Sequence, residues 1–379
     1  MKNSKIYFDI AATTPIDVDV AHLIHKVNLE SYGNASSIHS IGQKSHNILE
    51  RSRITISNIL NCKSSEIFFT SGGSESNNLV LKGILNAGDH FITSSYEHPS
   101  ILALAKDLLK EDIEVSFIKP NKFGLIDPEK IKKAIQENTK LISIMYVNNE
   151  IGTTNDIEKM SAIATEHNIP FHSDAVQYIG KERIDLSNNN INFLSIGAHK
   201  FYGPKGIGIL YCKAGNSLKP LISGGGQENG LRAGTENVSF IAGMSLALEI
   251  ANNNYSQNKN HILELENHFF KSLDQTKINY RLNGVERLPG ILNITFPNML
   301  GQTLVMKLDL HGIAVSFGSA CSSGTPKPSE VLLNLGLNED QALKTIRISI
   351  GKFHTKNDIH ELVNILQEVL CNKYEKDPV

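Results

Sequence analysis

The chain has 379 residues, 37 basic and 39 acidic side chains for a net charge of −2, and 40% hydrophobic residues. A near-neutral balance excludes a basic nucleic-acid binder, an ordinary apolar content excludes a largely disordered chain, and the length supports one large core plus a smaller one. Apolar runs fall short of the roughly 20 residues that span a bilayer; the longest, 240–251, is broken by Gly243, Ser245 and Glu249, so a soluble protein with no membrane partner is expected.

From the N-terminus, residues 1–9 run into a strand with no apolar h-region or small-residue cleavage site, the pattern of a cytoplasmic chain. Short apolar runs follow at 66–70, 90–95, 114–118, 141–147, 169–173, 193–196 and 208–211. Helical patterns at 74–86, 100–110, 128–136 and 156–168 alternate with them, the second following Pro99 and the third opening on Asp127-Pro128, a capping residue before a first-turn proline. That alternation predicts an α/β sheet, in which the loops after the strands carry the site. The polar stretch 252–260 marks a joint. Beyond it, strand patterns at 290–296, 312–316 and 345–350 and a closing amphipathic helix from 356 to about 374 predict a smaller α+β unit.

Cys62, Cys212, Cys321 and Cys371 stand singly with no C-x-x-C pair, so neither a disulfide framework nor a metal site is expected. The G-x-x-x-x-G-K-[ST], G-x-G-x-x-G and H-E-x-x-H patterns are absent, which removes the familiar signatures of nucleotide binding and zinc proteolysis. Present instead is Thr70-Ser-Gly-Gly-Ser-Glu-Ser-Asn-Asn78, where a strand passes through two glycines into a helix. Backbone N–H groups at such a start suit a phosphate, and the same residues equally make a capped turn. Further on, one strand ends in Asp174 and the next in Lys200, within His199-Lys-Phe-Tyr-Gly-Pro-Lys-Gly206. An amine can form a Schiff base and a buried carboxylate can keep a ring nitrogen protonated, the two demands of pyridoxal phosphate chemistry. Singly, Asp174 also fits a helix cap and Lys200 a surface ammonium; together with the glycine turn they answer aldehyde, ring nitrogen and phosphate in one chain.

These residues carry a resemblance that runs through most of the chain. With Asp9-Ile-Ala-Ala-Thr-Thr-Pro15, Gly33-Asn-Ala-Ser-Ser-Ile-His39, Glu97-His98, Val147-Asn-Asn-Glu-Ile-Gly152, Asp174-Ala-Val-Gln177, Gly224 to Asn237 and Gly318-Ser-Ala-Cys-Ser-Ser323, the sequence resembles the cysteine desulfurases of the NifS/IscS-like group, within the class V aminotransferase family. The resemblance implies the fold-type I architecture of enzymes that use pyridoxal 5'-phosphate: a mainly parallel central sheet in a large cofactor-binding domain, 14–255, and a smaller α+β domain, 1–13 and 256–379, carrying the catalytic cysteine loop. It implies conversion of L-cysteine to L-alanine with a persulfide on Cys321. The sulfur would pass to an acceptor protein, an iron-sulfur scaffold or a thiolation factor, and an iron-sulfur cluster at Cys321 shared with a scaffold is a further state. A selenocysteine lyase or another enzyme of the family would share the cofactor residues and stays open as an alternative.

By the same resemblance Lys200, His98 and Cys321 are catalytic. Lys200 holds the cofactor as a Schiff base, His98 stacks on its ring, Asp174 pairs with the ring nitrogen, and Gln177 and Asn149 lie near the ring hydroxyl. Gly73, Ser74 and His199 hold the phosphate, and Thr235 reaches the phosphate of a neighbouring subunit, which implies a homodimer. Arg347, with Asn149, takes the substrate carboxylate, a task suited to its planar fork. Cys321 lies in the Gly/Ser/Pro-rich stretch 316–328, the composition of an exposed loop in which a thiol can visit a pocket and withdraw. Four positions depart from the family pattern: Gly197 where relatives have serine or threonine, Ile10 for asparagine, Ala35 for proline and Lys352 for arginine. Gly197 leaves one hydroxyl fewer for the phosphate.

Overall fold

The computed structural model describes residues 5–318 and 327–371. After β1 (Ile6–Tyr7), a main sheet is built from β2 (Ile67–Thr70), β3 (His90–Ser94), β4 (Glu114–Ile118), β5 (Thr139–Ser143), β6 (Phe171–Asp174), β7 (Phe193–Gly197) and β8 (Gly208–Cys212). Their order across it is β2-β8-β7-β6-β5-β3-β4. Pairing is parallel from β7 to β4, while β8 runs against both of its neighbours. β2 therefore points the same way as β7, and six of the seven strands deliver their carboxyl ends to one edge. In open α/β sheets that edge is where ligands bind.

Both faces of this sheet are covered, and the sequence encodes it two residues at a time. Ile92, Ile142, Leu194 and Ile209 enter one core cluster, whereas their chain neighbours Phe91, Leu141, Phe193 and Leu210 enter another. β3, β6, β7 and β8 are accordingly buried at every position, which is why they appear as continuous apolar runs rather than alternating ones. The helix Pro99–Leu108 adds Ile101, Leu104, Ala105 and Leu108 to the second cluster, spaced three and four apart on one face.

The remaining strands form smaller sheets. β9 (Arg281–Asn283), β10 (Ile291–Thr295) and β12 (Thr345–Ser349) pair antiparallel in the order β12-β10-β9, and β11 (Ile313–Ala314) pairs parallel with β1. Phe8, Phe269, Ile294, Leu304, Ile346, Leu362 and Leu366 close a core of their own there. Isolated bridges from Asp9 to Ser349 and from Ser316 to Arg347 tie the N-terminal segment and the end of the described chain before residue 319 to β12.

Within the polar stretch 252–260 the helices Val238–Asn253 and Tyr255–Asp274 are separated by Asn254 alone. The polar side chains of this stretch are engaged with the main unit. Tyr255 Oη donates to Glu182 Oε2 at 2.6 Å, Lys259 Nζ pairs with Glu182 Oε1 at 2.7 Å, and the Arg183 guanidinium lies over the Tyr255 ring. Polarity here marks a helix surface that docks through ion pairs.

Candidate active site

Loops following β2, β3, β5, β6 and β7 meet the N-terminal segment and β12 around a cavity of 330 Å³. Lys200 ends a short turn, Ala198–Lys200, directly after β7, and its Nζ donates to the carbonyls of Ala11 at 2.6 Å and Ala12 at 2.7 Å. Burial, reinforced by the nearby Arg347 charge, pulls its pKa down to about 8 against the opposing attraction of Asp174 and Asp9. Asp174, the last residue of β6, is buried. It accepts from the Val176 N–H at 3.0 Å through Oδ1 and from Asn77 Nδ2 at 2.8 Å through Oδ2.

At the other end of the cavity the helix Gly73–Ile84 begins two residues after β2 ends, and no side chain caps its start. Its orphan N–H groups and the positive end of its dipole form an anion seat lined by Gly73 and Ser74. A β-carbon at Gly73 would sit 2.5 Å from Val176 Cγ2, so glycine alone lets the helix approach the loop after β6 this closely. His199 also lines the cavity, with Nδ1 3.2 Å from Thr13 Oγ1. Burial and four nearby basic groups, Lys200 first among them, push its pKa down to about 4.

The third side is set by Arg347 at the centre of β12, whose side chain is only 7% exposed, not a surface strand arginine. Nη2 donates to Asp9 Oδ1 at 2.7 Å and Nη1 to the Asn149 carbonyl at 2.8 Å, while the buried Nε has no partner among the described residues. An unpaired N–H on a buried guanidinium is costly unless a ligand takes it. Asn149 lies beside it on the cavity wall. Gln177 donates through Nε2 to the Ala11 carbonyl at 2.7 Å and accepts through Oε1 from Lys181 Nζ at 2.7 Å. Burial and the charges of Lys200 and Arg347 lower the Lys181 pKa to about 7.

Gly73, Ser74, His98, Asn149, Asp174, Gln177, His199, Lys200 and Arg347 thus line one cavity, in which Asp174 is the one carboxylate among the described lining residues. Thr235 does not join them; it lines a separate cleft with Phe69, Ser71 and Arg232. Cys321 lies outside the described residues, as does most of the loop around it. Gly197 is extended, with φ −128°, and a β-carbon there would meet Val176 Cγ1 at 3.3 Å and the His199 ring at 3.4 Å. Three residues that the sequence reading passed over also belong to the site: Asn77 and Ser100 behind Asp174 and His98, and Lys181 behind Gln177. Lys181 stands four residues after Gln177, a spacing that gives a weak signal; the contacts of Asn77 and Ser100 leave no such trace.

The class-V aminotransferase family model matches residues 6–362. The chain belongs to that family. Among class-V relatives, a protein named cysteine desulfurase IscS from Dictyoglomus turgidum is 40% identical over 372 residues, covering 97% of this chain and 94% of that one. A solved structure titled NifS-like protein superposes with a TM-score of 0.91 at 34% identity, covering 97% of this chain and 99% of that one. Another, titled SspA in complex with cysteine, gives a TM-score of 0.83 at 36% identity, with 93% and 100% covered. The mainly parallel α/β architecture is the fold-type I arrangement that the resemblance implied.

Pyridoxal 5'-phosphate is the cofactor of this class-V group, and the cavity fits it on its own chemistry. An uncapped helix start matches the phosphate, a buried carboxylate the ring nitrogen and a low-pKa amine the aldehyde. The orphaned Arg347 Nε is left for a carboxylate.

Proposed function

We propose that the protein is a cysteine desulfurase that takes sulfur from L-cysteine, leaves L-alanine and holds the sulfur as a persulfide on Cys321. The observation that carries this reading is the convergence of an amine, a carboxylate, an uncapped helix start and a buried arginine with a free Nε on a single cavity. Bound at Lys200, the cofactor supplies an electron sink for charge developing at the substrate α-carbon. Lys200 Nζ, with its pKa near 8, has a large enough neutral fraction near pH 8 to attach the cofactor, and the same amine would hold and return the substrate α-proton. Arg347 binds the substrate carboxylate with Asn149 beside it, and Asp174 keeps a proton on the ring nitrogen. Gln177 would face the ring hydroxyl, and Gly73, Ser74 and His199 would hold the phosphate.

Cys321 Sγ attacks as thiolate: it forms an S–S bond to the substrate sulfur as the C–S bond breaks, the electron pair stays with carbon, and that carbon gains a proton to become the methyl of alanine. Two copies of the chain complete each site through Thr235, within a large domain 14–255 and a small domain 1–13 with 256–379, and the persulfide serves a sulfur-acceptor protein in the cytoplasm. No helix among the described residues is long and apolar enough to cross a membrane. The test is anaerobic incubation with L-cysteine, followed by alanine quantification and mass analysis of the Cys321 peptide. One added sulfur with stoichiometric alanine is expected. A keto acid product, or full turnover by Cys321→Ala, overturns the reading.

A further inference from the structure

We propose that Ser100 and Asn77 are positioning residues: through a chain of hydrogen bonds anchored on Asp174, they lock His98 as its Nε2–H tautomer, so His98 offers the cavity a hydrogen-bond donor rather than a base. The proposal rests on the desulfurase reading only for what is bound in front of His98.

The direction of each bond follows from counting hydrogens. A carboxylate oxygen can only accept, so the Asn77 group that faces Asp174 Oδ2 at 2.8 Å is the amide Nδ2. The second hydrogen of Nδ2 goes to Ser100 Oγ at 2.9 Å. Having accepted there, the Ser100 hydroxyl gives its own hydrogen to His98 Nδ1 at 2.8 Å. The backbone N–H of Ser100 reaches the same Nδ1 at 3.1 Å, because His98 is the N-cap of the helix Pro99–Leu108. With two donors converging on Nδ1 there is no room for a proton on it, and the neutral ring carries its hydrogen on Nε2. Turning the Asn77 amide over would set Oδ1 against the carboxylate; in the orientation found, Oδ1 is buried with no partner among the described residues, a cost that the two bonds of Nδ2 offset.

A second proton on the ring would have to displace the Ser100 amide at the positive end of a helix. The charged groups facing the ring agree. Burial is the first cause holding the His98 pKa below the usual histidine range, with Lys200 adding to it and Asp174 pulling the other way; His199 is the further basic neighbour. Nε2 has no protein partner among the described residues, and His98 lines the cavity, so that N–H is free for whatever binds there. A neutral imidazole held at a helix N-terminus is suited to polarise a substrate or product atom by hydrogen bonding.

The experiment is nitrogen NMR of the apoprotein carrying labelled histidine, with the His98 signals assigned by their loss in His98→Gln. The expected result is a bare Nδ1 and a protonated Nε2 at neutral pH, with a titration midpoint below that of an ordinary histidine. Ser100→Ala removes one of the two donors and is expected to raise the midpoint by about one pH unit, and Ser100→Thr, which keeps the hydroxyl, is expected to restore it. A ring protonated at Nδ1 in the parent protein, or a midpoint unmoved by Ser100→Ala, overturns the proposal. The readout needs no turnover, so a protein that binds its cofactor yet makes no alanine from cysteine would sink the desulfurase reading and leave this one intact.

Discussion

Lys200 keeps a pKa of about 8 because its ammonium form is desolvated and faces Arg347, so between about pH 8 and the ordinary lysine value the unfolded chain binds more protons than the native one. Stability therefore rises with pH across that window, and the full cost of the buried charge is felt at pH 7. Lys200→Met in the apoprotein is expected to raise the unfolding free energy by about 2–3 kcal/mol at pH 7, measured by urea denaturation; a destabilised variant would show that the two carbonyl contacts of Nζ outweigh its desolvation. Gly197 offers a second test at this scale. Its backbone is extended, a conformation any residue adopts, and a serine β-carbon there needs Val176 and His199 to yield only slightly. Gly197→Ser is expected to tighten pyridoxal phosphate binding about tenfold, the effect of roughly 1.4 kcal/mol from one hydrogen bond to a charged group, followed by titration of the apoprotein. Unchanged or weaker binding would mean that the hydroxyl cannot reach the phosphate. Lys200, Asp174 and the glycine turn were legible in the sequence because each sits where a strand ends, and strand ends can be located from apolar runs. Asn77 and Ser100 were not, since their chemistry exists only in contacts, the one from Asn77 to Asp174 crossing 97 residues of sequence.

At the scale of elements, the parallel strands are the most readable part of the chain. Residues such as Phe91 and Ile92, or Phe193 and Leu194, point to opposite cores, so both must be apolar and the strands stand out against their surroundings. The helix Ser40–Leu60 is far harder to see: Ser45, Ser52 and Ser57 share its buried positions with Leu49, Ile56 and Leu60, and small polar residues blur the period. The same blurring hides the helical character of 252–260, nearly all of which lies in two helices. Where the helix Gly73–Ile84 begins, the anion seat depends on how near its first turn can come to Val176, and Gly73→Ala inserts a methyl 2.5 Å from Val176 Cγ2. That variant is expected to lose at least tenfold in cofactor affinity, seen in the apoprotein titration, and Val176→Ala added to it should recover most of the loss. If the double variant stays as weak as the single one, the glycine serves backbone conformation rather than close approach.

For the molecule as a whole, the unresolved fit is Thr235, which lines its own cleft and not the cavity of Lys200. Its segment is fastened in place: Arg53 forms an ion pair with Glu228 at 2.8 Å, and Glu228 also accepts from the Phe69 N–H at 2.8 Å. Pulling Glu228 off β2 would break a buried ion pair and leave uncompensated charge, so the start of the segment that leads to Thr235 stays on β2. The proposed function has a second copy receive Thr235. Val18, Leu29, Tyr32 and Ile38 are each at least 65% exposed. Mixing a Thr235→Ala chain with a Lys200→Ala chain decides the matter. In a mixed dimer the lysine of the first and the threonine of the second meet in one intact site, so the mixed species is expected to regain about half of the parent rate per dimer. Were Thr235 to act within its own chain, or not at all, the mixture would never exceed the average of the two parents measured separately.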